Sequence, residues 1–139
     1  MMEFRAQATI AAPADTVWRI VTKTEDWPEW DPYCDRIEGQ VGLGNKLKAY
    51  SKLSPGRAFG LKVTELVENE KMTWSGGMPF GLFKGVRTFS LTSRGEQTEF
   101  VLHEAFSGLM LGMIKGSIPD MTEAFEAFVN GLKERAEAS

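Results

Sequence analysis

The 139-residue sequence contains one cysteine and one histidine. A lone thiol, Cys34, excludes an internal disulfide. A lone imidazole, His103, excludes the common zinc sets, which draw on several Cys and His ligands. The remaining carboxylates between Asp26 and Asp35 lack the spacing of a calcium loop, so no metal is expected. Basic charge is scarce: 16 Lys and Arg face 19 Asp and Glu, for a net charge of −3. That argues against a nucleic-acid partner, which needs a clustered positive face. Long apolar runs are missing too. The longest candidate, Leu109 to Ile114, ends at Lys115, far short of the ~20 residues of a membrane span. The N-terminus alternates polar and apolar residues and lacks the basic end and apolar run of a targeting segment. A cytoplasmic, soluble chain without cofactor is the expectation. Hydrophobic residues at 42% and charged residues at 25% are ordinary for a globular protein and argue against disorder. The length fits a single domain over residues 1–139.

What is present is mostly period-two text. Met2, Phe4, Ala6, Ala8 and Ile10 share one parity and Glu3, Arg5, Gln7 and Thr9 the other, which predicts a half-buried strand. Pro13 suits a first helical turn, and Asp15 suits the positive end of its dipole. Val17, Trp18, Ile20 and Val21 then give a short helix with one apolar side. Pro28 and Pro32 limit the next stretch to one helical turn and an irregular entry to a strand. Trp27 and Trp30 there cap the core, or cap it and touch a ligand as well.

Strands are predicted over Tyr33–Glu38, Lys46–Leu53, Arg57–Val67, Lys71–Ser75, Phe83–Leu91 and Thr98–Phe106. A bulge is expected near Glu65, where the apolar register breaks. Ser54-Pro55-Gly56 and Ser93-Arg94-Gly95-Glu96 are turn signals, and Gly76, Gly77, Pro79 and Gly81 read as a flexible connection. The terminal helix is expected to start near Ser117, with Pro119 in its first turn. Met121, Phe125, Phe128 and Leu132 fall on one face of it. Before it, Gly108, Gly112 and Gly116 mark a mobile lead-in or a short helix at a cavity mouth, with Met110, Leu111, Met113 and Ile114 turned toward ligand or lid. A meander of antiparallel strands with helices at both ends is an α+β fold.

Two charged residues break the apolar parity. Arg87 shares a face with Phe89 and Leu91; Glu104 shares one with Phe100, Leu102 and Phe106. A two-residue hairpin loop pairs Phe89 with Phe100 and Arg87 with Leu102, leaving Glu104 as a diagonal neighbour of Arg87. Inward charges are costly unless paired. The pair is therefore either a structural ion pair or the polar anchor of an apolar pocket. His103 falls on the opposite face of its strand, away from any cavity. Cys34 has no cation to make it a thiolate. Gly42-Leu43-Gly44 lacks the third glycine of a dinucleotide site.

Several passages carry a resemblance. Ala8 to Trp18, Trp30-Asp31-Pro32, Gly39, Gly44, Leu66 to Trp74, Glu104-Ala105-Phe106-Ser107-Gly108, and Phe128, Asn130, Leu132 and Lys133 together resemble the START-like (SRPBCC) superfamily, in its polyketide cyclase/dehydrase group of helix-grip proteins. The match runs over nearly the whole chain. It departs at Asp31, where the family typically has Asn. The resemblance implies a strongly curved antiparallel sheet of about seven strands around a long C-terminal helix, two short helices closing one end, and a hydrophobic tunnel between sheet and helix. The residues expected to line it are Trp30, Leu47, Phe59, Leu61, Trp74, Phe83, Arg87, Phe89, Phe100, Leu102, Glu104, Phe106, Met121, Phe125 and Phe128. The expected partner is a small hydrophobic molecule such as a lipid, a polyketide or an aromatic compound, held by a monomer or homodimer. Three functions stay open. One is a carrier. Another is a cyclase or dehydratase with Glu104 as acid/base and Arg87 holding a carbonyl or enolate oxygen. The third is a chaperone-activator-like interaction module.

Overall fold

The computed structural model describes residues 1–139 and consists of one antiparallel sheet that grips one long helix. Strand β1 (Met2–Ile10) is followed by helix α1 (Ala14–Thr22) and a 3-10 turn over Thr24–Glu29. Six more strands follow: β2 (Cys34–Glu38), β3 (Lys46–Ser51), β4 (Ala58–Val67), β5 (Lys71–Met78), β6 (Phe83–Arg94) and β7 (Gln97–Ser107). A one-turn helix α2 (Leu111–Ile114), a 3-10 turn over Lys115–Ser117 and the long helix α3 (Thr122–Glu137) complete the chain. The sheet order is β1-β7-β6-β5-β4-β3-β2, so six consecutive strands form a meander and β1 closes onto the last of them. This is the helix-grip architecture, with α3 lying across the concave face.

The inward parity of β1 is as the alternation predicts, with Phe4 packed on Phe106 and Phe125. The expected bulge is present as a register shift between Val63 and Glu65. Three local expectations differ. The β6–β7 turn falls one residue later: Arg94 faces Gln97, so Arg87 lies directly opposite Glu104, Phe89 opposite Leu102 and Leu91 opposite Phe100. Gly76, Gly77 and Met78 are strand and not linker, because their backbone groups pair with Gly85, Lys84 and Phe83. Helix α3 starts at Thr122 and not near Ser117. Asp120 accepts from both the N–H and the hydroxyl of Thr122, anchoring the first turn, while Ser117 ends the preceding 3-10 turn.

An aromatic wedge fixes the distance between sheet and helix. The Trp27 ring stacks on Trp74 with centroids 5.2 Å apart and meets Phe128 of α3 edge-on at 4.9 Å. Trp27 itself is locked by its indole N–H, which donates to the Val21 carbonyl. At the other end of α3, Lys133 donates to the Thr9 carbonyl and to Glu137, whose carboxylate accepts the Ala11 N–H. Between these two anchorages α3 approaches the Trp30 backbone at Gly131, where a Cβ would overlap the Trp30 carbonyl oxygen. No helix is long and apolar enough to cross a membrane. Replacing Gly131 with Ala should cost roughly 1–3 kcal/mol through overpacking against rigid backbone, read as a fall of several degrees in Tm. A Tm equal to that of the parent would show that the approach is not tight.

Candidate functional site

Two facing glycines border the cavity between sheet and helix. Register places Gly76 of β5 beside Gly85 of β6 on the inward face. A Cβ at Gly76 would stand 2.6 Å from the Gly60 carbonyl oxygen and one at Gly85 3.0 Å from the Phe106 ring, so these glycines admit a close backbone and a close ring. The space left is about 530 Å³, lined by 33 residues of which 21 are hydrophobic. That lies within the ~300–1,000 Å³ usual for small-molecule sites. Phe59, Leu61, Trp74, Phe83, Leu102, Phe106, Met121, Phe125 and Phe128 all face it, as do Arg87 and Glu104.

Four residues expected on the lining are elsewhere. Trp30, Leu47, Phe89 and Phe100 are buried in the core and do not border the open space. Parity put Leu47, Phe89 and Phe100 on the correct side of the sheet, and Trp30 stands outside the strands at the end of the 3-10 turn. However, α1, the 3-10 turn and α3 cover that end, and rings such as Trp27 and Phe128 fill it. The lead-in to α3 also differs: Ile114, Ser117, Ile118 and Pro119 border the cavity, whereas Met110, Leu111 and Met113 do not.

The polar end is built on the Arg87–Glu104 register pair. Arg87 donates its Nε–H to Glu104 Oε1 at 2.6 Å, and the guanidinium carbon lies 5.0 Å from the centre of the Phe125 ring. The side chains are 26% and 11% exposed, so the pair is largely withdrawn from water. The terminal nitrogens of Arg87 find no acceptor within the protein. They are accessible donors at the wall of an apolar chamber. The pair thus satisfies one half of the guanidinium and leaves the other half free.

Asp31 and Cys34 also lie on the lining, as do Arg57, Ser51, Ser54 and Ser117, and sequence reasoning had assigned none of them to the site. Asp31 is 7% exposed, and its Oδ1 accepts the Tyr33 N–H. Burial pushes its carboxyl above the ordinary value of 3.8, against the opposing pull of the Tyr33 bond and of the Arg87 and Lys52 charges. Cys34 borders the cavity beside it, and burial with two nearby aspartates pushes its thiol up to about 12, which keeps it protonated and unreactive. The only signal for Asp31 was the acid standing where the resembling family has Asn. His103 lies outside the cavity, on the opposite face of β7, with Nε2 3.7 Å from the Glu3 carboxylate. No cluster of His, Cys, Asp and Glu with metal-binding geometry is present.

Over residues 1–137 the sequence matches the family described as polyketide cyclase / dehydrase and lipid transport. The chain belongs to that family. Similar solved structures agree with the fold. One is the Zhui aromatase/cyclase from Streptomyces sp. R1128, with TM-score 0.73 and 15% identity, over 98% of this chain and 93% of that one. Another is a START superfamily protein from Mycobacterium smegmatis, with TM-score 0.70 and 20% identity, over 98% and 97%. A third is a protein from Thermus thermophilus, with TM-score 0.74 and 20% identity, over 99% and 98%. No curated protein matches the sequence. Arg87, Glu104 and Asp31 are the buried or part-buried charged groups that this chain places on the cavity wall.

The raised Asp31 carboxyl has a consequence for stability. A group whose folded value lies above its unfolded value stabilises the fold fully below about pH 3.8. That contribution is lost as pH rises through the folded value, because the unfolded chain then releases the proton more readily. Asp31→Asn keeps an acceptor for Tyr33 and has no proton to lose. Its Tm should rise relative to the parent from about pH 4 upward. A Tm difference that stays flat with pH would refute the assignment.

Proposed function

We propose that this protein binds a small, largely apolar and uncharged molecule, carrying one oxygen-bearing end, in the cavity between sheet and α3. The observation that supports this most directly is the free half of the Arg87 guanidinium at the wall of a largely apolar chamber of about 530 Å³. Glu104 neutralises the arginine, so the chamber gains little from a second negative charge. A carbonyl or hydroxyl oxygen can accept from the Arg87 terminal nitrogens without displacing Glu104. The aromatic walls, Phe59, Phe83, Phe106 and Phe125 among them, suit flat rings or alkyl chains. Lipids and polyketide-like aromatics both answer this description, and the family description names both activities.

A second reading is enzymatic. Asp31 and Glu104 are two carboxyls in one cavity with different environments, one held toward its protonated form by burial and the other bound to Arg87. Such separation is what general acid and base assignments need. In that reading Arg87 holds a developing enolate oxygen, Glu104 accepts a proton and Asp31 donates one.

Two measurements separate these readings. Native mass spectrometry of freshly purified protein should show a co-purified apolar molecule. Binding of a neutral fluorescent naphthyl ketone should weaken about tenfold in Arg87→Met, the loss expected for one hydrogen bond to a charged donor. Glu104→Gln should cost roughly 1–3 kcal/mol of stability, because Arg87 keeps a part-buried charge without its partner. The double variant should recover much of that loss. Unchanged ketone affinity and unchanged Tm in both single variants would sink the anchor role. Retained ketone affinity in Asp31→Asn and Glu104→Gln, with loss of turnover on a polyketone substrate, would favour the enzyme.

A further inference from the structure

Three of the four most exposed large apolar side chains lie on two segments that border the cavity. Phe80 is 92% exposed, Leu109 85% and Met113 80%. They come from two segments fastened into one platform: the Leu109 N–H donates to the Gly81 carbonyl at 3.1 Å and the Met110 N–H to the Leu82 carbonyl at 2.8 Å. Gly108, at φ +121°, permits this approach, since a Cβ there would stand 2.6 Å from the Leu82 oxygen. The same two segments border the cavity through Met78, Phe83, Ile114 and Ile118, so the platform rims the opening.

Two features set this rim apart from ordinary surface. Phe80 occupies the tip of the β5–β6 turn at φ +61°, a left-handed conformation that bulky residues seldom adopt and that glycine takes freely. The chain thus accepts backbone strain to show a phenyl ring to water, and strain of this kind concentrates at functional positions. The second feature is charge. Neither Lys71 to Arg94 nor Ala105 to Pro119 contains an acidic residue, although the chain has 19 of them and a net charge of −3. Lys84 and Lys115, both exposed, are the charges of the platform segments.

We infer that the mouth rim is a docking surface for an anionic lipid bilayer. Phe80, Leu109 and Met113 insert at the level of the headgroups, while Lys84 and Lys115 meet anionic lipid. A second copy of the chain fits the patch poorly. A two-fold interface would set the same lysines against each other with no acid in either patch to neutralise them. Docking in this orientation opens the cavity toward the bilayer. That consequence rests on the ligand-binding reading above; the docking itself does not.

Sedimentation of the full chain with vesicles tests it. The parent should sediment with phosphatidylcholine vesicles containing phosphatidylglycerol, less so with phosphatidylcholine alone, and less as salt is raised. Combining Phe80→Gly, Leu109→Ser and Met113→Ser should abolish sedimentation. Glycine relieves the strain at position 80 and the other two side chains are exposed, so folding should survive. Charge neutralisation by Lys84→Gln and Lys115→Gln should weaken binding roughly fivefold per lysine. Naphthyl ketone binding by both variants should match the parent. The inference is overturned if the parent stays in the supernatant with both vesicle types, or if the apolar variant sediments as the parent does. It is also overturned if the parent is a dimer that the apolar substitutions convert to monomer. Vesicle binding by a parent that binds no apolar probe supports the docking surface and overturns the ligand reading alone.

Discussion

The stacking of Trp27 against Trp74, with Phe128 set edge-on between sheet and helix, is the contact on which the rest depends. Three large rings from three elements hold α3 off the sheet by the thickness of an indole. At that end the rings fill the gap and the core is dry. Beyond them the same separation leaves a chamber. One geometric constraint therefore yields both a stable core and an unfilled space. Gly131, one turn along the same side of α3 as Phe128, complements it where the helix must come close to the Trp30 backbone.

Polar groups are few and each has a structural reason to tolerate burial. Arg87 and Glu104 face each other across one register position and neutralise each other. Asp31 keeps a backbone donor in Tyr33, and its burial favours the protonated form. The indole N–H groups of Trp30 and Trp74 are buried without an acceptor, a local cost consistent with close packing of the wedge. The Arg87 guanidinium keeps donor capacity beyond its bond to Glu104.

The cavity opens where the chain is least regular. The β5–β6 turn and the segment from Gly108 to Pro119 are joined by backbone hydrogen bonds, yet Phe80, Leu109 and Met113 point to solvent. Membership in a family that includes lipid transport is compatible with such a rim, but the rim is a property of these residues and not of the fold.

Alternation and turn chemistry were sufficient to read the strands, the bulge near Glu65, the short N-terminal helix and the apolar face of α3. These are local signals, set by side-chain period and by the few residues that fit a turn. The inward placement of Arg87 and Glu104 was legible for the same reason. Their direct opposition was not, because it hangs on which two residues form the turn. The division between core and cavity was beyond the sequence altogether: Leu47, Phe89 and Phe100 have the same parity and chemistry as true lining residues, and Trp30 has the same chemistry. Only the position of α3, fixed by contacts between residues far apart in the chain, decides which inward side chains are covered and which face open space. Asp31 entered the site by the same route, since burial and the field of Arg87 belong to the assembled structure and not to its neighbours in the chain.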